Sequence, residues 1–240
     1  MPLASLRTLR TLPKALSFDD VDDYVEVPYS ESLEISNSIT ITAWVCSHYS
    51  ERIQHIFTRI PDSGDSIIFV RIPPSGVLQS QFRIEGTYYG GVAGSIGWHK
   101  WYHICVVRDR TEVKHYINGV YVGGYSVAEG SIDTVGLGHR IGVAGWGFSE
   151  YWNGLIASVL IYNRALNLSE IQHNYNNPLN PVTSGLVLWL DWTSIDIANG
   201  LWLDRSGYNN HGTIYGATEE IIIKSPVRKL NRVRLLNAVR

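Results

Sequence analysis

Residues Tyr151 to Asn177, YWNGLIASVLIYNRALNLSEIQHNYNN, constrain the fold of this chain more than any other stretch. Gly154 opens a strand in which Leu155, Ala157, Val159 and Ile161 alternate with Ile156, Ser158, Leu160 and Tyr162. Both alternating sets are mostly apolar, which describes a central strand covered on two faces rather than a rim strand. Asn167 stands three residues before Glu170, the spacing of a capping box, and Pro178 ends the helix that follows. The remainder reads as short strands and glycine turns, so one short helix is expected in an otherwise all-β molecule.

Other strands can be placed by alternation and punctuation. Leu16 to Pro28 is a strand interrupted by the acidic turn Asp19-Asp20-Val21-Asp22-Asp23, and Ile39 to Cys46 alternates cleanly. Phe57 to Ile60, Ser66 to Ile72 and Gln79 to Glu85 follow, separated by proline and glycine. Asn118-Gly119, between HYI and VYV, is a two-residue hairpin turn that requires positive φ at both positions. Gly136 to Gly147 is a glycine-rich loop ending in AGWGFSEYW, and Asn176 to Ser184 has the composition of a linker.

Four segments together resemble the laminin-G-like, concanavalin A-like jelly-roll family. Tyr151 to Asn177 is similar to its closing strand and helix, and Ala15 to Val45 to its opening strands. Trp101 to Gly124 is similar to its central hairpin. GLVLWL with DRSGYNNHGTIYGA, Gly185 to Ala217, is similar to its first strands. The resemblance implies an antiparallel jelly-roll β-sandwich and leaves lectin-like, adhesive and structural roles open.

That last segment follows the helix instead of preceding Ala15. Two readings stay open: a circular permutation, with 185–223 completing the sandwich of 15–223, or a fragment of a second repeat. The first is favoured because it gives Trp189, Trp192 and Trp202 a core to enter.

The net charge of −2 conceals an uneven plan. Residues 1–14 carry Arg7, Arg10 and Lys14, and residues 224–240 carry Lys224, Arg228, Lys229, Arg232, Arg234 and Arg240, with no acid in either arm. Of 20 basic residues nine lie in these arms, leaving 11 against all 22 acidic residues between them. An acidic body with two basic arms suits docking on an acidic partner, including a second copy, better than specific nucleic-acid binding. No apolar run approaches the roughly 18 residues that cross a bilayer. The N-terminus MPLASLRTLRTLPK lacks the continuous apolar core of a secretory signal. An extracellular, virion or other particle-surface setting is the expectation. Cys46 and Cys105 are either buried thiols or partners across the sandwich.

Candidate chemistry is sparse. No strand carries the alternating acids that a glycan-cleaving sandwich needs, and no phosphate loop, Gly-x-Ser-x-Gly or His-Glu-x-x-His occurs. A non-catalytic module is expected. Aromatic residues in glycine-rich loops, with small neighbours, offer a platform that stacks on a sugar or plugs into a partner protein: Tyr88 and Tyr89 in EGTYYGG, Trp98 in SIGWHKW, Trp146 and Phe148 in AGWGF. Asp204, Asn209, Asn210 and His211 are read as an Asx-rich turn bonding its own backbone. The family resemblance implies a structural calcium at the acidic turn, with Asp19 and Asp22 as ligands. Where relatives often carry an acidic pair after the glycine of the closing strand, this chain has Ala157 and Ser158. The expected ligand is a glycan or a cell-surface structure, with an assembly unit that binds no sugar as the alternative.

Overall fold

The computed structural model describes residues 14–60, 66–134, 136–144 and 150–222. Residues 1–13 of the N-terminal arm and the whole arm 224–240 therefore lie outside the described residues, as do Trp146 and Phe148, while Lys14, expected in the arm 1–14, begins the first strand. The strands in chain order are β1 (Lys14–Asp19), β2 (Tyr24–Val27), β3 (Ser38–Ser47), β4 (Gln54–Arg59), β5 (Ile68–Ile72) and β6 (Val77–Ile84). Next come β7 (Thr87–Ser95), β8 (Trp101–Asp109), β9 (Glu112–Ile117), β10 (Val120–Ser126), β11 (His139–Ile141) and β12 (Asn153–Tyr162). After α1 (Leu168–Asn176) the chain adds β13 (Leu186–Asp191), β14 (Ile195–Asp196), β15 (Leu201–Trp202), β16 (Gly212–Tyr215) and β17 (Thr218–Ile221).

These strands form two antiparallel sheets packed face to face as a β-sandwich. The first runs β10-β9-β8-β3-β12-β1-β17, with β13 also on β12, and the second runs β14-β15-β16-β2-β11-β4-β5-β6-β7. Period-two alternation sends Ile39, Ile41, Ala43 and Val45 of β3 toward Val25, Val27, Phe57 and Phe82 of the second sheet, and all are buried.

The central strand is β12, as its two apolar faces require. Val159 and Ile161 enter the inter-sheet core, while Leu160 and Tyr162 enter a second cluster with Cys105, Val107, Leu166 and Ile171 beneath α1. Asn167 accepts from Glu170 N–H and the Glu170 carboxylate accepts from Asn167 N–H, completing the capping box. Gly154, at φ +127°, lets β12 approach β3 so closely that a Cβ would lie 2.2 Å from the Cys46 carbonyl. Asn118 and Gly119 take φ 52° and 76° in the β9–β10 turn.

The tail enters both sheets. Leu16↔Ile156 and Asp19↔Asn153 pair β1 with the first half of β12, while Ser158↔Asp191 and Leu160↔Trp189 pair β13 with its second half. Strands from opposite ends of the chain thus lie in succession along one edge of β12. In the second sheet β16 pairs with β2 through Ile214↔Val25, and Trp202 is fully buried. Cys46 and Cys105 are free, buried thiols.

Two buried arginines hold the connection between β2 and β3. Arg59 donates to the Leu33 and Ile35 carbonyls at 2.9 and 3.3 Å, and Arg108 donates to those of Ser36 and Asn37. Burial pulls the Arg59 pKa down to about 10, still well above neutrality.

Candidate functional site

The acidic turn between β1 and β2 folds around its own carboxylates. Asp19 Oδ1 accepts from the N–H groups of Val21 and Asp22 at 2.9 and 3.4 Å, and Asp23 Oδ2 accepts from Asp19 N–H at 3.0 Å. Asp20 adopts the left-handed conformation that aspartate tolerates, φ 67°, and accepts from Ser50 Oγ at 2.9 Å. The turn brings ligand oxygens of Asp19, Asp22 and Asp23 within 4.8 Å of one another.

Asp23 is the buried member of this triad. Burial first, then the Asp19 and Asp22 charges, push its carboxyl up to about 6. An all-oxygen set whose negative charges oppose one another suits a hard divalent cation, and the triad fits calcium in donor chemistry. Three carboxylates alone fall short of six to eight oxygens unless some bind through both oxygens, so carbonyls or water would complete the shell. Sequence reasoning named Asp19 and Asp22 and missed Asp23, although alternation with the inward Val25 and Val27 already placed it on the core side. Gly216, following β16, abuts the triad: a Cβ there would lie 2.1 Å from Asp23 Oδ1.

Beside the turn is an open cleft of about 610 Å³ lined by Asp19, Asp20 and Val21 on one side and Tyr49, Ser50, Glu51 and Arg52 on the other. Its second wall, the β3–β4 loop, is fixed by a buried amide. Gln54 Oε1 accepts from Ser47 Oγ and Asn153 N–H at 3.2 and 3.0 Å, and its Nε2 donates to the His48 carbonyl at 3.0 Å. Asn153 also donates to the Tyr49 carbonyl at 3.0 Å.

The Tyr49 ring, 53% exposed, meets Trp98 edge-on, with centroids 5.6 Å apart and planes at 80°. Trp98 is half-buried against the core, so it braces an exposed ring. His48 and His99, the chain neighbours of Tyr49 and Trp98, stack with centroids 4.6 Å apart, and burial together with His99 holds the His48 pKa below the usual histidine range. Sequence reading found Trp98 but missed Tyr49, Arg52 and Gln54, which sit in no motif and acquire their roles from contacts made across the chain.

Of the other expected aromatics, Trp146 and Phe148 lie outside the described residues, and Tyr88 and Tyr89 do not join this pair. Tyr88 and Tyr89 lie on β7, not in a loop, and point to opposite faces. Tyr89 pairs with the buried Phe82 and packs on the core, while Tyr88 pairs with Arg83, whose guanidinium lies 5.8 Å from the Tyr88 ring centroid. Tyr88 and the connection carrying Trp98 lie toward opposite ends of β7, about 20 Å apart at strand rise. One small ligand cannot span both. In the Asx-rich turn, Asp204 accepts from the N–H groups of Trp189, Ser206 and Asn210 at 2.8 to 2.9 Å, and Asp204 N–H donates to His211 Nδ1 at 2.9 Å. These residues bond their own turn and also tie it to neighbouring segments, since Asn210 Nδ2 donates to Ser32 Oγ and to the Val187 carbonyl at 2.8 Å.

A family model for the concanavalin A-like lectin/glucanases superfamily matches residues 19–172. Among solved structures, a Bacteroides ovatus protein provisionally described as carbohydrate-binding superposes with a TM-score of 0.69 at 21% identity, covering 89% of this chain. The chain spans 61% of that protein. Trypanosoma rangeli sialidase, with a covalently bound difluorosialic acid, superposes with a TM-score of 0.53 at 15% identity, covering 70% of this chain and 28% of the enzyme. At these identities the likeness is one of fold. No curated protein matches the chain. Among the described residues no helix is long and apolar enough to cross a membrane.

Proposed function

Since this chain belongs to the concanavalin A-like lectin/glucanases superfamily, we propose that it is a non-catalytic recognition module that binds a glycan in the cleft between the acidic turn and Tyr49. The observation that carries this reading is the exposed Tyr49 ring, braced by Trp98 and facing a cleft edged by Asp20, Glu51 and Arg52. A flat ring stacks on the apolar face of a sugar, and the flanking charged groups hydrogen-bond its hydroxyls. The non-catalytic reading is supported by the state of Asp19 and Asp20. Asp19 Oδ1 accepts from neighbouring N–H groups and Asp20 Oδ2 from the Ser50 hydroxyl, and the two stand side by side on one turn rather than facing each other across the cleft.

Asp19 belongs to both the triad and the cleft, so calcium held by Asp19, Asp22 and Asp23 would order the wall that the sugar meets. Its role there is structural, bringing positive charge to a turn whose carboxylates repel. The tail supplies Gly216 beside the triad, and we read residues 185–223 as permuted first strands of a single domain spanning 15–223. A virion or other particle surface is the setting we assign, on the strength of the basic arms flanking an acidic body.

The test is a glycan array on the intact protein with and without calcium, followed by titration of the best glycan. Tyr49→Ala is expected to weaken binding by roughly tenfold or more, the equivalent of about 1.4 kcal/mol. Tyr88→Ala, on the far part of β7, is expected to leave it unchanged. Equal effects from both variants, or none from Tyr49→Ala, would overturn the placement of the site.

A further inference from the structure

The strand β17 forms the edge of the first sheet, paired on one side with β1 through Lys14↔Ile221 and Ser17↔Thr218. Among the described residues nothing pairs with its other side. All four of its residues are exposed, Ile221 at 67%. An open strand edge offers a row of backbone donors and acceptors to an incoming segment.

The charge on this edge selects its partner. Antiparallel pairing of β17 with β17 of another copy, centred on the strand, would set Glu219 against Glu220 in both directions. Like charges directly opposite are destabilising, so that arrangement is disfavoured. A basic segment with interspersed apolar residues meets the opposite situation: its cations face Glu220 and the remaining oxygen of Glu219, whose Oε2 Lys14 already holds at 2.7 Å, and its Val and Leu side chains reach Ile221. Residues 224–240, SPVRKLNRVRLLNAVR after Lys224, have this composition, with six basic residues and no acid.

The arm begins two residues beyond the last described residue and, extended, reaches about 50 Å. A tight hairpin back onto its own β17 would fall at Ile222-Ile223-Lys224-Ser225, which carries none of the Gly, Asn or Asp residues that such turns select. We infer that the outer edge of β17 receives the basic C-terminal arm of a second copy of this chain. The interaction is independent of glycan binding and makes the module self-associating through charge and strand addition.

The experiment is light-scattering mass measurement on the full chain in low-salt buffer, using two charge reversals at exposed or terminal positions. Edge reversal is Glu219→Lys with Glu220→Lys, and arm reversal is Arg228→Glu, Lys229→Glu, Arg232→Glu and Arg234→Glu, which leaves Lys224 and Arg240 against four acids. Wild type is expected to exceed the monomer mass and each reversal alone to give monomer. An equimolar mixture of the two is expected to associate again, because the basic edge of one meets the acidic arm of the other. Circular dichroism of each variant separates lost association from lost folding. A monomeric wild type, reversals without effect, or a mixture that stays monomeric would overturn the inference; the last would mean that the arm acts within its own chain.

Discussion

The two long sides of the sandwich are finished by opposite means. On one side β7 of the second sheet meets β10 of the first, and the contact is made of glycine against bulk. A Cβ on Gly91 would lie 2.2 Å from the Tyr125 ring, and one on Gly94 would lie 2.8 Å from both Ile117 and Val122. The Tyr125 hydroxyl donates to the Ser80 carbonyl at 3.0 Å, and Ser80 Oγ lies 2.8 Å from His115 Nε2. On the other side β17 and β1 carry charge: Lys14 pairs with Glu219 at 2.7 Å, and Glu220 faces solvent. Steric fit draws the two end strands together on the first side. Electrostatics guards the second and leaves it able to receive a partner.

The largest expected effect tests the steric side. Gly91→Ala forces a methyl into the Tyr125 ring and should cost about 2–3 kcal/mol, lowering the thermal midpoint by roughly 4–10 °C. Tyr125→Ala leaves a hole and also destabilises. If the clash is the cause, the double variant loses less than the sum of the two singles. Additive losses would mean that β7 carries glycine for some other reason.

This side also shows where sequence reading fails. TYYGGVAGS has three glycines in nine residues and reads as a loop, because glycine weakens strand preference. Its reason for glycine is a ring 34 positions later, at Tyr125, a relation that no local pattern carries. The central strand and helix were legible because alternation, Gly154 and the Asn167–Glu170 cap all act within a few residues. The candidate site falls between these cases. Asp19 and Asp22 were legible as an acidic turn, and Asp23 was available from strand period. Tyr49 matters only because Trp98, 49 residues on, stands beside it.

The two sides are expected to answer pH in opposite directions. Burial holds the His115 pKa down at about 4. Against an unfolded value near 6.5, its contribution is complete above about pH 6.5 and is lost as pH falls toward 4. Asp23 is raised to about 6 from 3.8, so its contribution grows as pH falls through 6 and is complete below about 4. Each effect is on the order of 1–3 kcal/mol. His103, also held low by burial, at about 3, adds to the histidine side. The protein should therefore be less stable at pH 5 than at pH 7. Asp23→Asn should steepen that dependence and His115→Gln should flatten it, as read from denaturant midpoints without calcium. Calcium should raise stability at pH 7 and lose its effect as pH falls through 6 and Asp23 takes up its proton. A shallower dependence in Asp23→Asn would contradict the raised carboxyl.

The smallest effect is expected on the charged side. Lys14 and Glu219 are each 28% exposed, so their 2.7 Å ion pair acts largely in a solvated setting. Such pairs contribute under about 1 kcal/mol, because Coulomb attraction in water is weak and holding two long side chains costs entropy. Lys14→Ala leaves both edge glutamates in place and should shift the thermal midpoint by no more than roughly 2–4 °C. High salt should erase most of the difference between this variant and wild type. A larger and salt-insensitive loss would mean that β17 is locked to β1 as firmly as β7 is to β10. The contrast between a side drawn together by shape and a side guarded by charge would then fail.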